Sequence, residues 1–318
     1  MATEPVDPPP PLPSPKRDRR AAAGRRERAG ARIVSRSTPR AESSVEPKSG
    51  SKSGSKSGAR TRPCTGIAVT VGTAVMFLTR LPVGRHASPD PAVLARATCW
   101  FPLVGLVVGL SMAGVWTLVQ SFAPSSVACL LTLVAGVLLT GAFHEDGLAD
   151  MADSAGAFGA EAKLEIMRDS RVGTYGALAL VLLVLARFVL LWELSVLTVA
   201  TVAAALVAAH VLGRWSSVWL MARVPHARAG SDNGVVAEGV GTRELLLASL
   251  AALVALVPAV SLGGWPVLST PPLALGIALL AGWRMRRRLG GITGDGLGAT
   301  NVIVELAALL AVLLAARP

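Results

Sequence analysis

Residues able to support soft-metal or redox chemistry are scarce in this chain. Its 318 residues include three cysteines, Cys64, Cys99 and Cys129, and four histidines, His86, His144, His210 and His226. The cysteines form no CxxC pair and two fall in or beside apolar runs, so they read as small core residues, not as ligands or a disulfide framework. The histidines are equally scattered, and nothing spaces like a zinc site. Aromatic residues make up 4% and charged residues 16% of the chain, too little polar surface for a soluble domain of this length. Apolar residues fill the gap at 52%, with a mean hydropathy of +0.54, which makes this a polytopic membrane protein.

The net charge of +11 invites a nucleic-acid partner, but the charge is badly distributed for one. Residues 1–63 hold 15 Lys and Arg against 6 Asp and Glu, leaving the rest of the chain nearly neutral. That first region runs from PPPPLP through KRDRR and GRRER to SGSKSGSKSG. It is too polar to repay chain ordering, so it is expected to be a disordered basic tail and linker ahead of a membrane domain at 64–318. It lacks the apolar core of a secretory signal, and its acids and Pro run argue against an organelle transit peptide. Anionic lipid, not nucleic acid, is its expected contact.

Apolar segments follow near 67–78, 100–122, 127–143, 175–194, 196–222, 245–262, 272–283 and 302–315. The first falls clearly short of the roughly 20 residues needed to cross a bilayer. The links alternate in character. Those near 123–126, 195 and 263–270 are short and uncharged, whereas the others carry Arg80, Arg85 and Arg96; Lys163, Arg168 and Arg171; Arg223, Arg228 and Arg243; and Arg284 to Arg288. The positive-inside rule puts the basic links in the cytoplasm. Basic sequence on both sides of the first segment makes it interfacial or re-entrant. The expectation is an all-α transmembrane bundle of about seven spans, with the tail inside and the C-terminus outside.

One polar stretch between spans, Phe143 to Gly176, gathers Glu145, Asp146, Asp150, Asp153, Glu165 and Asp169 with Lys163, Arg168 and Arg171. Acids at a membrane edge carry a desolvation cost that a cation must offset. If the segment after His144 stays helical, Asp146, Asp150 and Asp153 share a face, and hard carboxylate oxygens in that pattern suit Mg²⁺ bridged to phosphate. The plainer reading is an acidic helix start favoured by the macrodipole. Arg168 and Arg171, followed by Gly173 and Gly176 at a helix opening, fit phosphate oxygens, although membrane anchoring would use the same residues. Asp295 sits in a glycine-rich turn, GGITGDGLGATN, ahead of the last apolar segment. His210, Arg214 and Arg187 lie inside apolar runs, where ionisable residues default to a paired or functional role.

These residues carry a resemblance. FLTRLPV at Phe77 to Val83, FHEDGLADMAD at Phe143 to Asp153, LEIMRDSRVGTYG at Leu164 to Gly176 and TGDGLGA at Thr293 to Ala299, with a weaker GRW at Gly213 to Trp215, resemble the cobalamin synthase family, the adenosylcobinamide-GDP ribazoletransferases. Thr300 and Asn301 depart from the small-residue and Gln pair usual there, and residues 1–63 have no counterpart. The resemblance implies an Mg²⁺-dependent enzyme of the cell inner membrane with its site facing the cytoplasm. It would join adenosylcobinamide-GDP to α-ribazole or α-ribazole 5′-phosphate and release GMP. It further implies Asp146, Asp150 and Asp153 as metal ligands, with Glu145 and Asp169 assisting. Arg168 and Arg171 would neutralise the diphosphate, with Arg214 and Asp295 as further substrate contacts, and His144 or a carboxylate would take the hydroxyl proton. Homo-oligomer or monomer stays open.

Two other classes compete. A CDP-alcohol phosphotransferase shares the opening of DGLAD, but Asp150 stands where its motif wants Arg and no GxxxDxxxD follows. A transporter would use the seven spans and deep Arg187, but the chain has no inverted repeat. The topology is open to cysteine labelling in a chain stripped of its native cysteines. Positions Ser125 and Ser269 should label from outside intact cells and Ser154 and Ser231 should not; labelling of the latter pair would invert the orientation.

Overall fold

The computed structural model describes residues 66–227 and 239–317, so the expectations for the tail at 1–63 and for Ser231 lie outside the described residues. The described chain is helical, with no strand beyond one isolated bridge between His226 and Ile292. In order come α1 (Ile67–Leu78), α2 (Pro91–Ala97), α3 (Phe101–Gln120), α4 (Ser125–Thr140), α5 (Phe143–Asp153), α6 (Ala160–Ile166), α7 (Thr174–Leu194), α8 (Val199–Arg223), α9 (Thr242–Gly263), α10 (Thr270–Leu289) and α11 (Gly294–Ala316).

Six of the described helical stretches are long and apolar enough to cross a membrane, and the seventh expected span meets that test only as a bent pair of helices. Helix α4 turns by 89° into α5. Gly141 and Ala142 both adopt the left-handed conformation there, with φ of 71° and 59°. Glycine takes that conformation freely, whereas at Ala142 it costs on the order of 1 kcal/mol and must be held by its surroundings. The Arg80 amide donates to Leu139 O at 2.8 Å, tying the end of α4 to the segment after α1. Helix α1 remains a short apolar helix of 12 residues, anchored to the next segment where Trp100 Nε1 donates to Thr70 Oγ1 at 3.0 Å.

Helix α8 is the centre of the bundle. Of its apolar stretch 72% is buried, against 22% for α7, so α7 presents most of its surface to lipid while α8 is enclosed by protein. Lipid tails are as apolar as leucine, so close backbone approach replaces the hydrophobic effect as the glue. A Cβ on Gly109 of α3 would stand 2.7 Å from Val207 Cα of α8, a distance only glycine permits. The glycines opening α11 serve the same end. A Cβ on Gly147 of α5 would meet Asp295 Cα at 3.0 Å, and one on Gly298 would meet His144 Cα at 3.3 Å. The last helix therefore starts at Gly294, capped by Thr293 Oγ1 accepting from Gly296 N at 3.0 Å. Asp295 lies in its first turn instead of in a loop ahead of it, and the helix runs unbroken through Thr300 and Asn301.

A charge network crosses the interior. Glu305 of α11, 3% exposed, accepts from Arg187 of α7 through Oε2, from Arg214 of α8 through Oε1, and contacts His210 Nδ1 at 2.9 Å. Arg187 Nη1 also donates to Glu145 Oε1 of α5 at 2.5 Å. Two guanidiniums thus face two carboxylates, and four helices are joined at one charge-balanced point. Glu305→Gln should strand a buried guanidinium and cost about 3–5 kcal/mol, whereas Glu193→Gln, in the half-exposed pair with Arg317, should cost under about 1 kcal/mol. Thermal unfolding in detergent checks this; equal effects of the two variants would remove the network from its structural role. For the labelling test, Ser154 is 3% exposed and would stay unlabelled from either side, so Phe158, at 95%, is the better position.

Candidate active site

Helix α5 carries the acids, and it is clamped at both ends. At its start Glu145 is held by Arg187. At its end Asp153 accepts from Gly173 N at 2.7 Å and from Gly176 N at 2.8 Å, so both carboxylate oxygens cap the N-terminus of α7. A carboxylate at a helix N-terminus satisfies orphan amides and meets the positive end of the dipole. Close packing leaves no room for side chains there: a Cβ on Gly173 would stand 2.5 Å from Asp153 Oδ1. Glycine at 173 and 176 is thus required by the approach of Asp153.

Between the clamps, Asp146 is exposed and Asp150 half-buried, one helical turn apart. Asp295, in the first turn of α11, has its backbone packed on Gly147, which brings a third acid to the same end of the bundle. Among the described residues no three His, Cys, Asp or Glu side chains converge in a metal-holding group. The donor set still fits Mg²⁺, which is commonly held by one or two carboxylates together with substrate phosphates and water, not by a cage of protein ligands. Asp146 and Asp150 would be the pair to hold it. Asp153 lends its oxygens to the backbone of α7.

The remaining candidates divide between the open face and the interior. Arg168 and Arg171 are exposed on the link before α7. Arg171 forks onto Asp169, with Nη2 at 2.5 Å from Oδ2 and Nε at 3.0 Å from both oxygens. This hydrogen-bonded guanidinium holds the Asp169 carboxyl below its usual range, so Asp169 stays ionised well into acid and makes a weak base at neutral pH. Its role in this geometry is to orient Arg171. Arg214 is 1% exposed and bound into the Glu305 network, and His144 is 4% exposed with its ring edge-on to Phe143 at 5.3 Å. Both line interior cavities, one of 50 Å³ with Glu145, Arg187 and Glu305, the other of 70 Å³ with Phe77, Phe101 and Asn301. The structure therefore leaves Asp146 and Asp150 at an open edge, packs the backbone of Asp295 beside them on Gly147, and buries His144 and Arg214 in the interior. Lys163, which the sequence groups with the arginines, donates to Ser154 O, Ala155 O and Ala157 O at 3.0, 3.3 and 2.6 Å, closing the carbonyl end of α5.

Glu305 is the residue that sequence reasoning passed over. Its signal was present: Arg187, His210 and Arg214 lie in apolar segments and need a counter-charge, and Glu305 is the one acid inside the last apolar segment.

Comparison with known proteins gives the family of the chain. Residues 70–313 match the family model described as cobalamin-5-phosphate synthase. A protein of Shewanella amazonensis (strain ATCC BAA-1098 / SB2B) named adenosylcobinamide-GDP ribazoletransferase is 43% identical over 244 residues, covering 76% of this chain and 93% of its own length. Proteins of the same name from Shewanella sp. (strain ANA-3) and Shewanella woodyi (strain ATCC 51908 / MS32) are 40% and 38% identical, over 73% and 76% of this chain and 89% and 93% of theirs. No solved structure matches the chain. On a match that runs from within α1 to near the end of α11, the chain belongs to the cobalamin-5-phosphate synthase family.

Proposed function

We propose that this chain is an integral membrane adenosylcobinamide-GDP ribazoletransferase, working at the cytoplasmic edge of the cell inner membrane. The observation that carries the proposal is helix α5: a short acidic helix bent by 89° from α4 and clamped at both ends, with Asp146 and Asp150 outside those clamps and its last acid, Asp153, bound to the glycines that directly follow the exposed Arg168 and Arg171 link. Family membership and the names of the relatives supply the substrates. A ribose hydroxyl oxygen of α-ribazole, or of its 5′-phosphate, attacks the phosphorus nearer cobinamide. The new P–O bond forms as the P–O bond to GMP breaks, and the hydroxyl proton leaves to a base at the site.

Diphosphate cleavage of this kind asks mainly for positioning and charge neutralisation. Arg168 and Arg171 supply planar donor forks for phosphate oxygens, with Asp169 holding Arg171 in one orientation. Asp146 and Asp150 would hold Mg²⁺, which supplies charge stabilisation on the phosphate oxygens when bound. Glu145 and Asp153 keep α5 from swinging, so that the two aspartates hold their spacing against the arginine arm. A bilayer edge suits the reaction, since a large corrinoid can rest at the interface while its diphosphate reaches the acids.

The assay is GMP release from adenosylcobinamide-GDP and α-ribazole by purified protein, with and without Mg²⁺. Asp146→Asn and Asp150→Asn should each slow release by two to three orders of magnitude, about 3 to 4 kcal/mol, with little change in stability because repulsion between the acids is relieved. Glu161→Gln, exposed in the first turn of α6, should be nearly silent. Near-full release by either Asn variant at limiting Mg²⁺ would return these aspartates to a purely structural role.

A further inference from the structure

The basic run at the end of α10 does two different jobs. Arg287 Cζ lies 4.7 Å over the Trp283 ring, and Trp283 is 51% exposed, the arrangement of an interfacial anchor. Arg284 and Arg288, one turn apart on α10, instead line a cavity of 220 Å³ closed by Met151, Ser154 and Ala155 from α5 and the turn after it, by Lys163 of α6, and by Met285 and Leu289. The charge of Lys163 is already taken up by the carbonyls of Ser154, Ala155 and Ala157, which makes it a strut in the wall. Arg284 and Arg288 are the cations left to meet a ligand.

Three features give the cavity its chemistry. Its volume exceeds the roughly 150 Å³ of an engineered cavity that admits benzene, so a flat ring system fits within it. Two methionine thioethers, Met151 and Met285, line it, and thioether sulfur packs favourably on aromatic rings. Two guanidiniums bind phosphate oxygens. An anion beside an apolar, polarisable wall is the pattern of a nucleoside phosphate. Met151 follows Asp150 directly, and Met151, Ser154 and Ala155 at i, i+3 and i+4 form a stripe beside the one that carries Asp146, Asp150 and Asp153. The cavity therefore adjoins the acidic site across a single helix.

We infer that this cavity is the subsite for the nucleoside monophosphate half of the diphosphate substrate, with Arg284 and Arg288 on its phosphate and Met151 and Met285 against its base. The inference rests on the ribazoletransferase reading for the identity of the nucleotide, GMP, but not for its test. A lipid headgroup is the other source of a phosphate here, and it would leave the methionine wall without a role.

The test measures equilibrium binding of GMP and of inorganic phosphate to the full chain in phosphatidylcholine nanodiscs, which needs no turnover. Arg284→Gln and Arg288→Gln should each weaken GMP by about tenfold, in line with loss of one charged hydrogen bond, and should raise the KM for adenosylcobinamide-GDP in step with little change in kcat. Met151→Ala should weaken GMP several-fold and leave phosphate unchanged. Arg287→Gln should alter neither binding nor turnover. Thermal midpoints of all four variants confirm that they are folded. The inference is overturned if the Arg284→Gln, Arg288→Gln double variant binds GMP as the parent does. It is equally overturned if phosphatidylglycerol in the nanodisc displaces GMP as well as free GMP does, which would make this a lipid-headgroup site. An absence of ribazoletransferase turnover in a protein that binds GMP through these residues would count against the proposed reaction alone.

Discussion

Glu305 is the counter-charge on which the interior depends. Two arginines and a histidine from neighbouring helices converge on one carboxylate near the middle of the last helix. Buried charges are costly unless paired, and here each is met by protein, which ties α7, α8 and α11 together at one point. The network acts less as a source of net stability than as a device that selects one packing among many that apolar helices would tolerate. Glu145 extends it to α5, which is how a deep ionic contact comes to orient a helix at the membrane edge.

That orientation is what the chemistry needs. In the proposed reaction Asp146 and Asp150 act as a pair, and α5 carries them at 89° to α4 through a turn of two left-handed residues, one of them alanine. Such a conformation persists because Arg187 pulls on Glu145 at one end while Asp153 caps α7 at the other. Backbone strain, a buried salt bridge and a helix cap cooperate to present two carboxylates. The glycines of α11 complete the arrangement by letting its first turn pack on α5 backbone to backbone, carrying Asp295 to the same edge.

Clustered charges at membrane edges have several uses, and packing sorts them. The basic links include an arginine stacked on an interfacial tryptophan, a lysine spent on backbone carbonyls, an arginine oriented by its neighbouring aspartate, and two arginines lining a cavity. Their common sign is what a topology rule reads. Their separate roles depend on which face of a helix each occupies and what stands opposite.

Much of this protein was legible in its amino-acid order. Hydropathy and segment length determine a helical membrane bundle, because a bilayer forces backbone polar groups to pair within each span. The same order shows that the first apolar segment is too short to cross, that the acids after Phe143 share one helical face, and which family the motif blocks resemble. These features are local: each depends on residues within a few turns of one another. The tertiary structure alone decided that Asp153 is a cap while Asp146 and Asp150 stay open, that Arg214 is buried and bound to Glu305, and that Asp295 opens a helix instead of sitting in a loop. It also supplied Glu305 as the shared partner of residues 91 to 118 positions away. Periodicity places a side chain on a face, but which face meets which is settled only when helices pack, and the low dielectric of the interior makes that choice costly to get wrong.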